Sequence, residues 1–283
     1  MVMRGLILIV GIATCCSFST VQGQSVLSGG ITTGAYERNA KLERRPIAYT
    51  PLREADIMWS KQIWRTIDLR EKFNHSLYYP LEPKVEYQSL FDVILTGVDE
   101  GTITAYDPID DEFNYPLSKK EVYSILSDTT LEILESFEGE GYDTLTVINE
   151  ISAGDMRRYV IKEEWFFDKQ RSVMDVRIVG IAPQAVKLDE DGNELGRQTL
   201  FWIYFPQARH VFANQPVFNR MNDGARMTFE DLFWKRMFHS YINKESNVMD
   251  RSIHEYKSGI AYQLESDRIR EDMRNFESDL WEY

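Results

Sequence analysis

The sequence predicts an α+β fold: a central antiparallel sheet of about four strands, flanked by helices from both halves of the chain. Three observations predict it. Apolar residues recur at helical spacing before residue 137 and again after residue 228. Between these regions the period changes to alternation, over stretches of strand length. Short polar turns separate those stretches, at Ala153-Gly154-Asp155, Asp168 to Arg171 and Asp189 to Asn193, and consecutive strands joined by short turns pair antiparallel.

The first residues, 1–23, read as a secretory signal peptide. Arg4 gives a short positive region, and Gly5 to Ala13 an apolar one too short to span a bilayer as a helix. Val21 and Gly23 then set cleavage before Gln24. Cys15 and Cys16 are the only cysteines, and both fall in the segment expected to leave. Thr14 stands where a lipid-attachment signal carries Gly, Ala or Ser, which favours plain cleavage. What remains has no thiol for a disulfide or a nucleophile, so its stability must come from its core. Residues 24–45, with Gly29, Gly30, Gly34 and several Ser and Thr, read as a flexible leader. Residues 46–283 read as a single α+β domain.

The formal charge of −13 argues against broad nucleic-acid binding, which needs Lys and Arg to replace counterions. No later run of about 18 apolar residues follows the signal, so no direct membrane span is expected. Aromatics are 13% of the residues, too rich for a disordered chain.

Within the domain a first helix is expected to start at Thr50 as N-cap, with Pro51 at the first helical position. Trp59, Ile63 and Ile67 follow on one stripe at i+4 spacing, widened by Ile57 and Trp64, with Arg53, Lys61, Arg65 and Arg70 outward. A second helix, about Tyr87 to Gly97, turns Leu90, Val93 and Ile94 inward and ends at Gly97 or Gly101. Asp107 to Tyr115 reads as an acidic loop. Ser118 and Glu121 have the spacing of a capping box for a short helix through Leu126. A further helical piece is expected near Thr130 to Phe137.

Four strands are then read from alternation. Leu145, Val147, Asn149 and Ile151 share one face. Tyr159, Ile161, Glu163, Trp165 and Phe167 share the next, and Met174, Val176 and Ile178 a third. Leu200, Trp202 and Tyr204 make a fourth, with Phe201, Ile203 and Phe205 opposite. Thr228 and Asp231 form an acidic capping box for a helix with Phe229, Phe233, Met237 and Tyr241 at i+4. The last helix, about Gln263 to Trp281, carries a narrow stripe of Ile269, Met273, Phe276 and Leu280 among charges, which suits one helix-to-helix contact.

Candidate chemical sites are sparse. Asp189 to Glu194 resembles half of a calcium loop, but Gly192 stands where a tight turn would put it and Glu194 where the loop needs Gly. His75, His210, His239 and His254 include no pair at i+4, so no zinc motif forms; His210 and His239 read as polar packing residues. Glu163-Glu164 and Asp110-Asp111-Glu112 are paired carboxylates of the kind glycoside hydrolysis uses. Neighbours on a strand face opposite sides, so Glu163 and Glu164 cannot act on one bond. No nucleophile elbow, phosphate loop or dinucleotide fingerprint is present. The residues imply no catalytic, cofactor or metal site.

Five blocks carry a resemblance. They are RPIAYTPLREADIMWSKQIWRTIDLREKFN (Arg45 to Asn74), SLFDVILTGVDEGTITAYD (Ser89 to Asp107), EEWFFDKQRSVMDVRIVGIAP (Glu163 to Pro183), LFWIYFPQARHVFANQPVFN (Leu200 to Asn219) and FEDLFWKRMFHSYI (Phe229 to Ile242). In this order the chain resembles the GldN/PorN family of Bacteroidota, which serves gliding motility and the type IX secretion system. The resemblance implies a periplasmic, non-enzymatic ring subunit. It implies assembly with an outer-membrane lipoprotein, GldK/PorK, through which the ring sits at the outer membrane, and contact with the periplasmic part of GldM/PorM. It transfers no catalytic residues. From the residues themselves, the candidate partner anchors are Trp59, Trp64 and Arg65 on the first helix, and Met273, Phe276 and Leu280 on the last, six residues that could equally be core. Two rivals of other classes are a periplasmic carbohydrate-active enzyme using Glu163 or Asp110, and a peptidoglycan-binding module.

Overall fold

The computed structural model describes residues 43–84, 86–135, 142–188, 194–219, 222 and 224–280. The expected signal peptide, nearly all of the expected leader, residues 189–193 of the calcium-like loop, and Trp281 lie outside them. The strands in chain order are β1 (Ile57–Asp68), β2 (Ala105–Tyr106), β3 (Ser127–Glu135), β4 (Tyr142–Glu150), β5 (Met156–Asp168), β6 (Val173–Leu188), β7 (Glu194–Thr199), β8 (Trp202–Tyr204), β9 (Pro216–Val217), β10 (Met227–Thr228) and β11 (Tyr241–Glu245). The helices are α1 (His75–Tyr78), α2 (Leu90–Glu100), α3 (Lys119–Leu126), α4 (Phe205–Asn214), α5 (Phe229–Trp234), α6 (Ile253–Tyr256) and α7 (Ile260–Asp279).

The fold is α+β, and its sheet is larger than four strands. Seven strands join in the order β11-β1-β5-β6-β8-β2, with β7 also on β6. Every pairing is antiparallel. Of the four expected strands, the one at Leu145 to Ile151 is not in this sheet: β4 pairs with β3 in a separate ladder, Ser127↔Glu150 to Glu135↔Tyr142. Of the helix expected near Thr130 to Phe137, residues 130–135 lie in that partner strand, and 136 and 137 fall outside the described residues.

The expected first helix is also a strand. Residues four apart share a face in a helix, but four is an even number, so they share a face in a strand as well. The spacing of Trp59, Ile63 and Ile67 therefore decides nothing. Content decides: Ile57, Trp59, Ile63, Trp64, Thr66 and Ile67 are β-branched or aromatic, the types that fit a pleated surface. Thr50 caps no helix. Its carbonyl accepts from Arg177 Nη2 at 2.5 Å and its hydroxyl from Arg171 Nη1 at 3.4 Å.

Strand β1 is buried on both faces from Ile63 to Asp68. On one face Ile63 packs with Ile242, Ile253, Ile269 and Met273. On the other Trp64 packs with Val160, Ala182 and Trp202, against Tyr106 and Phe113. The main core gathers α2, α4 and α5 around Phe91, Phe201, Phe212, Phe229 and Phe233.

The caps follow their residues. Ser118 and Glu121 close a capping box at α3, and Thr228 and Asp231 one at α5. Gly101, at φ 73°, ends α2 in the left-handed conformation that glycine adopts without strain. The Phe229-to-Tyr241 stripe breaks early: α5 stops at Trp234, Arg236 takes φ 52°, and Tyr241 opens β11. The last helix starts at Ile260, three residues before the expected Gln263. It closes the sheet edge, because Ser266 Oγ accepts from the Ile242 amide at 2.9 Å. An open edge strand would otherwise invite pairing with another chain.

Candidate partner-binding surfaces

Among the six anchor residues, the fold brings Trp59 together with Phe276. Their ring centroids are 4.8 Å apart at 32°, and both are half-buried along the seam between β1 and α7; Leu280, the residue after α7, is half-buried. Met273 is buried in the same seam. Trp64 and Arg65, adjacent on a strand, face opposite sides and are both buried.

Trp64 is held from three sides. Its indole N–H donates to Asp111 Oδ2 at 2.7 Å. The ammonium groups of Lys162 and Lys244 lie 5.3 and 4.4 Å from its ring, close enough for cation–π attraction. Lys162 also donates to the Asp111 carbonyl at 2.8 Å. The acidic loop is thus tied down over the sheet. Phe113, at φ 63°, inserts against Tyr106, Trp202 and Tyr204. It fits because Gly180 lies beneath it: a Cβ there would stand 2.5 Å from Phe113 Cζ.

Arg65 donates to Ser240 Oγ at 2.9 Å. Burial lowers its pKa, and the neighbouring Glu163 opposes that shift. Glu163 has no exposed surface. It accepts from Arg236 Nη2 at 2.7 Å and from Trp165 Nε1 at 3.0 Å. Asp110, the other candidate acid, spends its carboxylate on its own loop, accepting the amides of Glu112 and Asn114 at 2.9 and 2.8 Å. Those bonds, the Glu112 amide foremost, hold it below its ordinary pKa. A general acid needs the opposite shift. Both histidines expected to pack within the fold, His210 and His239, instead face solvent. His239 Nδ1 lies 2.5 Å from Glu71 Oε2. Among the described residues, no group of three or more His, Cys, Asp or Glu is placed to hold a metal. Nor is any helix among them long and apolar enough to cross a membrane.

Two surfaces escaped the sequence reading. One is an open groove of about 770 Å³ between α2 and α4, whose lining includes Gln88, Gln207, His210, Asn214 and Gln215. The other is a seat for residues 44–50, built on the buried pair Arg209–Glu230. Arg209 Nε and Nη2 both donate to Glu230 Oε1, at 2.8 and 2.6 Å. Its guanidinium lies 4.1 Å from the Tyr49 ring and 5.3 Å from that of Trp234. No periodic signal marks either surface, since each joins segments far apart in sequence.

These residues define an α+β domain in which the buried carboxylates of Asp68, Glu163, Glu230 and Glu265 are ion-paired and the aromatic residues pack at seams and loop contacts. Within that class, the chain belongs to the family described as gliding motility associated protein GldN, whose family model matches residues 52–282. It is therefore a gliding-motility associated protein. No curated protein matches the chain.

Proposed function

We propose that this chain is a non-catalytic, periplasmic subunit of the type IX secretion and gliding machinery. It forms a ring with a GldK/PorK-like outer-membrane lipoprotein, meets the periplasmic part of a GldM/PorM-like protein, and supports export of proteins across the outer membrane. The observation that carries this reading is the family match over residues 52–282. A second observation supports it: Glu163, an acid that the enzymatic rival would use, is buried and bonded to Arg236 and Trp165, so no substrate reaches it. The predicted signal peptide supports the periplasmic placement.

The test is co-expression with the lipoprotein encoded in the same organism, followed by purification and sizing. Large assemblies that require both proteins are the expected result, together with loss of secreted proteins when this chain is deleted. Two small, separate proteins, or a deletion strain that secretes normally, would overturn it.

A further inference from the structure

Residues 44–50 lie on the domain as a peptide ligand lies in a site. The Arg44 amide donates to Asn214 Oδ1 at 2.6 Å, and the Arg44 guanidinium pairs with Asp231 at 2.9 Å. The Ile47 carbonyl accepts from Arg209 Nη2 at 2.6 Å. The guanidiniums of Arg209 and Arg177 lie 4.1 and 5.0 Å from the centre of the Tyr49 ring. It also stacks on Trp234 with centroids 5.9 Å apart. The Thr50 carbonyl and hydroxyl accept from Arg177 and Arg171. All these partners come from α4, α5, β6 and the turn before β6. None comes from β1, the strand into which this arm runs.

We propose that this seat is a docking site between copies of the chain, in which the arm of one copy, residues 44–50, occupies the seat of a second. Two observations carry it. First, the seat reads main-chain carbonyls and one planar ring, so an arm from another copy makes the same contacts and only the link must change path. That link, Pro51 to Asp56, is short: Pro51 and Arg53 are exposed, Arg53 is extended, and Glu54–Asp56 form one 3-10 turn; with that turn opened, six extended residues reach about 20 Å. Second, the arm in its own seat leaves Ile47 68% exposed, an apolar side chain available to a neighbour. A head-to-tail exchange of this kind closes into a ring or runs on as a filament, according to the rotation between copies. Holding the copies side by side would raise the effective concentration of each arm at its neighbour's seat.

The proposal rests on the ring reading for what holds the copies together, and it is tested without the lipoprotein. Two full chains are prepared, each with Cys15→Ser and Cys16→Ser. One carries Arg44→Cys and the other Asp231→Cys; they are mixed and treated with a short thiol–thiol cross-linker. The product joining the two variants, identified by mass, can form only between copies. Its expected yield is at least tenfold above that of Arg44→Cys mixed with Arg274→Cys, a site on the exposed face of α7 outside the seat. Adding Tyr49→Ala to the arm-bearing copy should return it to that background. Equal yields with the two partners, or a yield unmoved by Tyr49→Ala, would overturn the exchange. A ring that still forms with the lipoprotein would then leave the reading of function standing; cross-linking without a ring would do the reverse.

Discussion

Arg236 reaches Glu163 across 73 residues of sequence, Nη2 to Oε1 at 2.7 Å, and Glu163 is fully buried while the Arg236 side chain is 31% exposed. The pair is therefore asymmetric. Removing Arg236 leaves a buried carboxylate with only Trp165 Nε1 and the nearby charge of Arg65 to balance it. Breaking a buried pair from that side costs about 3 kcal/mol or more. Neutralising Glu163 to Gln keeps an acceptor for one of the two donors, which bond different carboxylate oxygens, and it leaves a partly hydrated cation in place of a buried charge. Arg236→Ala should therefore lower the urea midpoint more than Glu163→Gln does. The reverse ranking would mean that the carboxylate is not balanced mainly by Arg236.

Acid should weaken this fold through two identified groups. Burial pushes the Asp68 carboxyl up, but hydrogen bonds from Arg70 and the charge of Arg158 more than reverse this and pull it down to about 2. Hydrogen bonds from Arg268 and Lys257 pull Glu265 to about 2 as well. A carboxyl whose folded pKa lies below its unfolded one stabilises the fold above the unfolded value, and that contribution drains away as pH falls through the folded value. The unfolded values are about 3.9 and 4.3, so the loss runs from roughly pH 4.5 down to pH 2. Asp68→Asn and Glu265→Gln should each flatten the fall of stability over that window in urea titrations. A slope unchanged in both variants would remove these groups from the account.

Much of the chain was legible where the signal is local. The capping boxes at Ser118 and Thr228, the glycine at the end of α2 and the alternation of β5 depend on neighbours in sequence, and each appears as read. Two helices were misread because the signal was ambiguous. The even spacing of Trp59, Ile63 and Ile67 satisfies a strand as well as a helix, and β3 shares that ambiguity, with β-branched residues at Thr129, Thr130 and Ile133. The tertiary seats were not legible. Nothing near Trp64 announces Asp111 as its acceptor, and the φ of 52° at Arg236 has no glycine to mark it. The anchors inferred from composition were therefore chosen for being aromatic or basic, a property that core and interface residues share.

The seam between β1 and α7 separates those two roles. Met273 is 6% exposed and packs with Ile63, Ile242, Ile253 and Ile269, so Met273→Ala should cost about 2–4 kcal/mol. Phe276 is half-buried against Trp59, and Phe276→Ala should cost about 1–2 kcal/mol, since less area is lost and the remaining edge is already wet. Chemical unfolding of the two variants checks the order. If the exposed side of this ring pair is a partner anchor, Phe276→Ala should also reduce co-purification of the lipoprotein while the variant stays folded. Retained co-purification would assign the ring to the seam alone.

Gly180 and Phe113 should be energetically coupled. The benzene ring occupies the space that a side chain at position 180 would need, with a Cβ falling 2.5 Å from Phe113 Cζ and 3.3 Å from Trp202 Cε3. Gly180→Ala must therefore displace the Phe113 ring from its place over the sheet, at a cost of about 1–3 kcal/mol. Phe113→Ala alone removes the ring from Tyr106, Trp202 and Tyr204 and opens the same space. In the double variant the methyl meets no ring, so its added cost should fall well below its cost in the parent, giving a coupling of about 1 kcal/mol or more between the two sites. Tryptophan fluorescence offers a second readout, because Trp202 lies under Phe113 and Trp64 is tied to the same loop through Asp111. Gly180→Ala should shift the emission toward that of wetter indoles. Additive stabilities with unmoved emission would show that the loop is held by the bonds of Asp111 and not by the ring seated over Gly180.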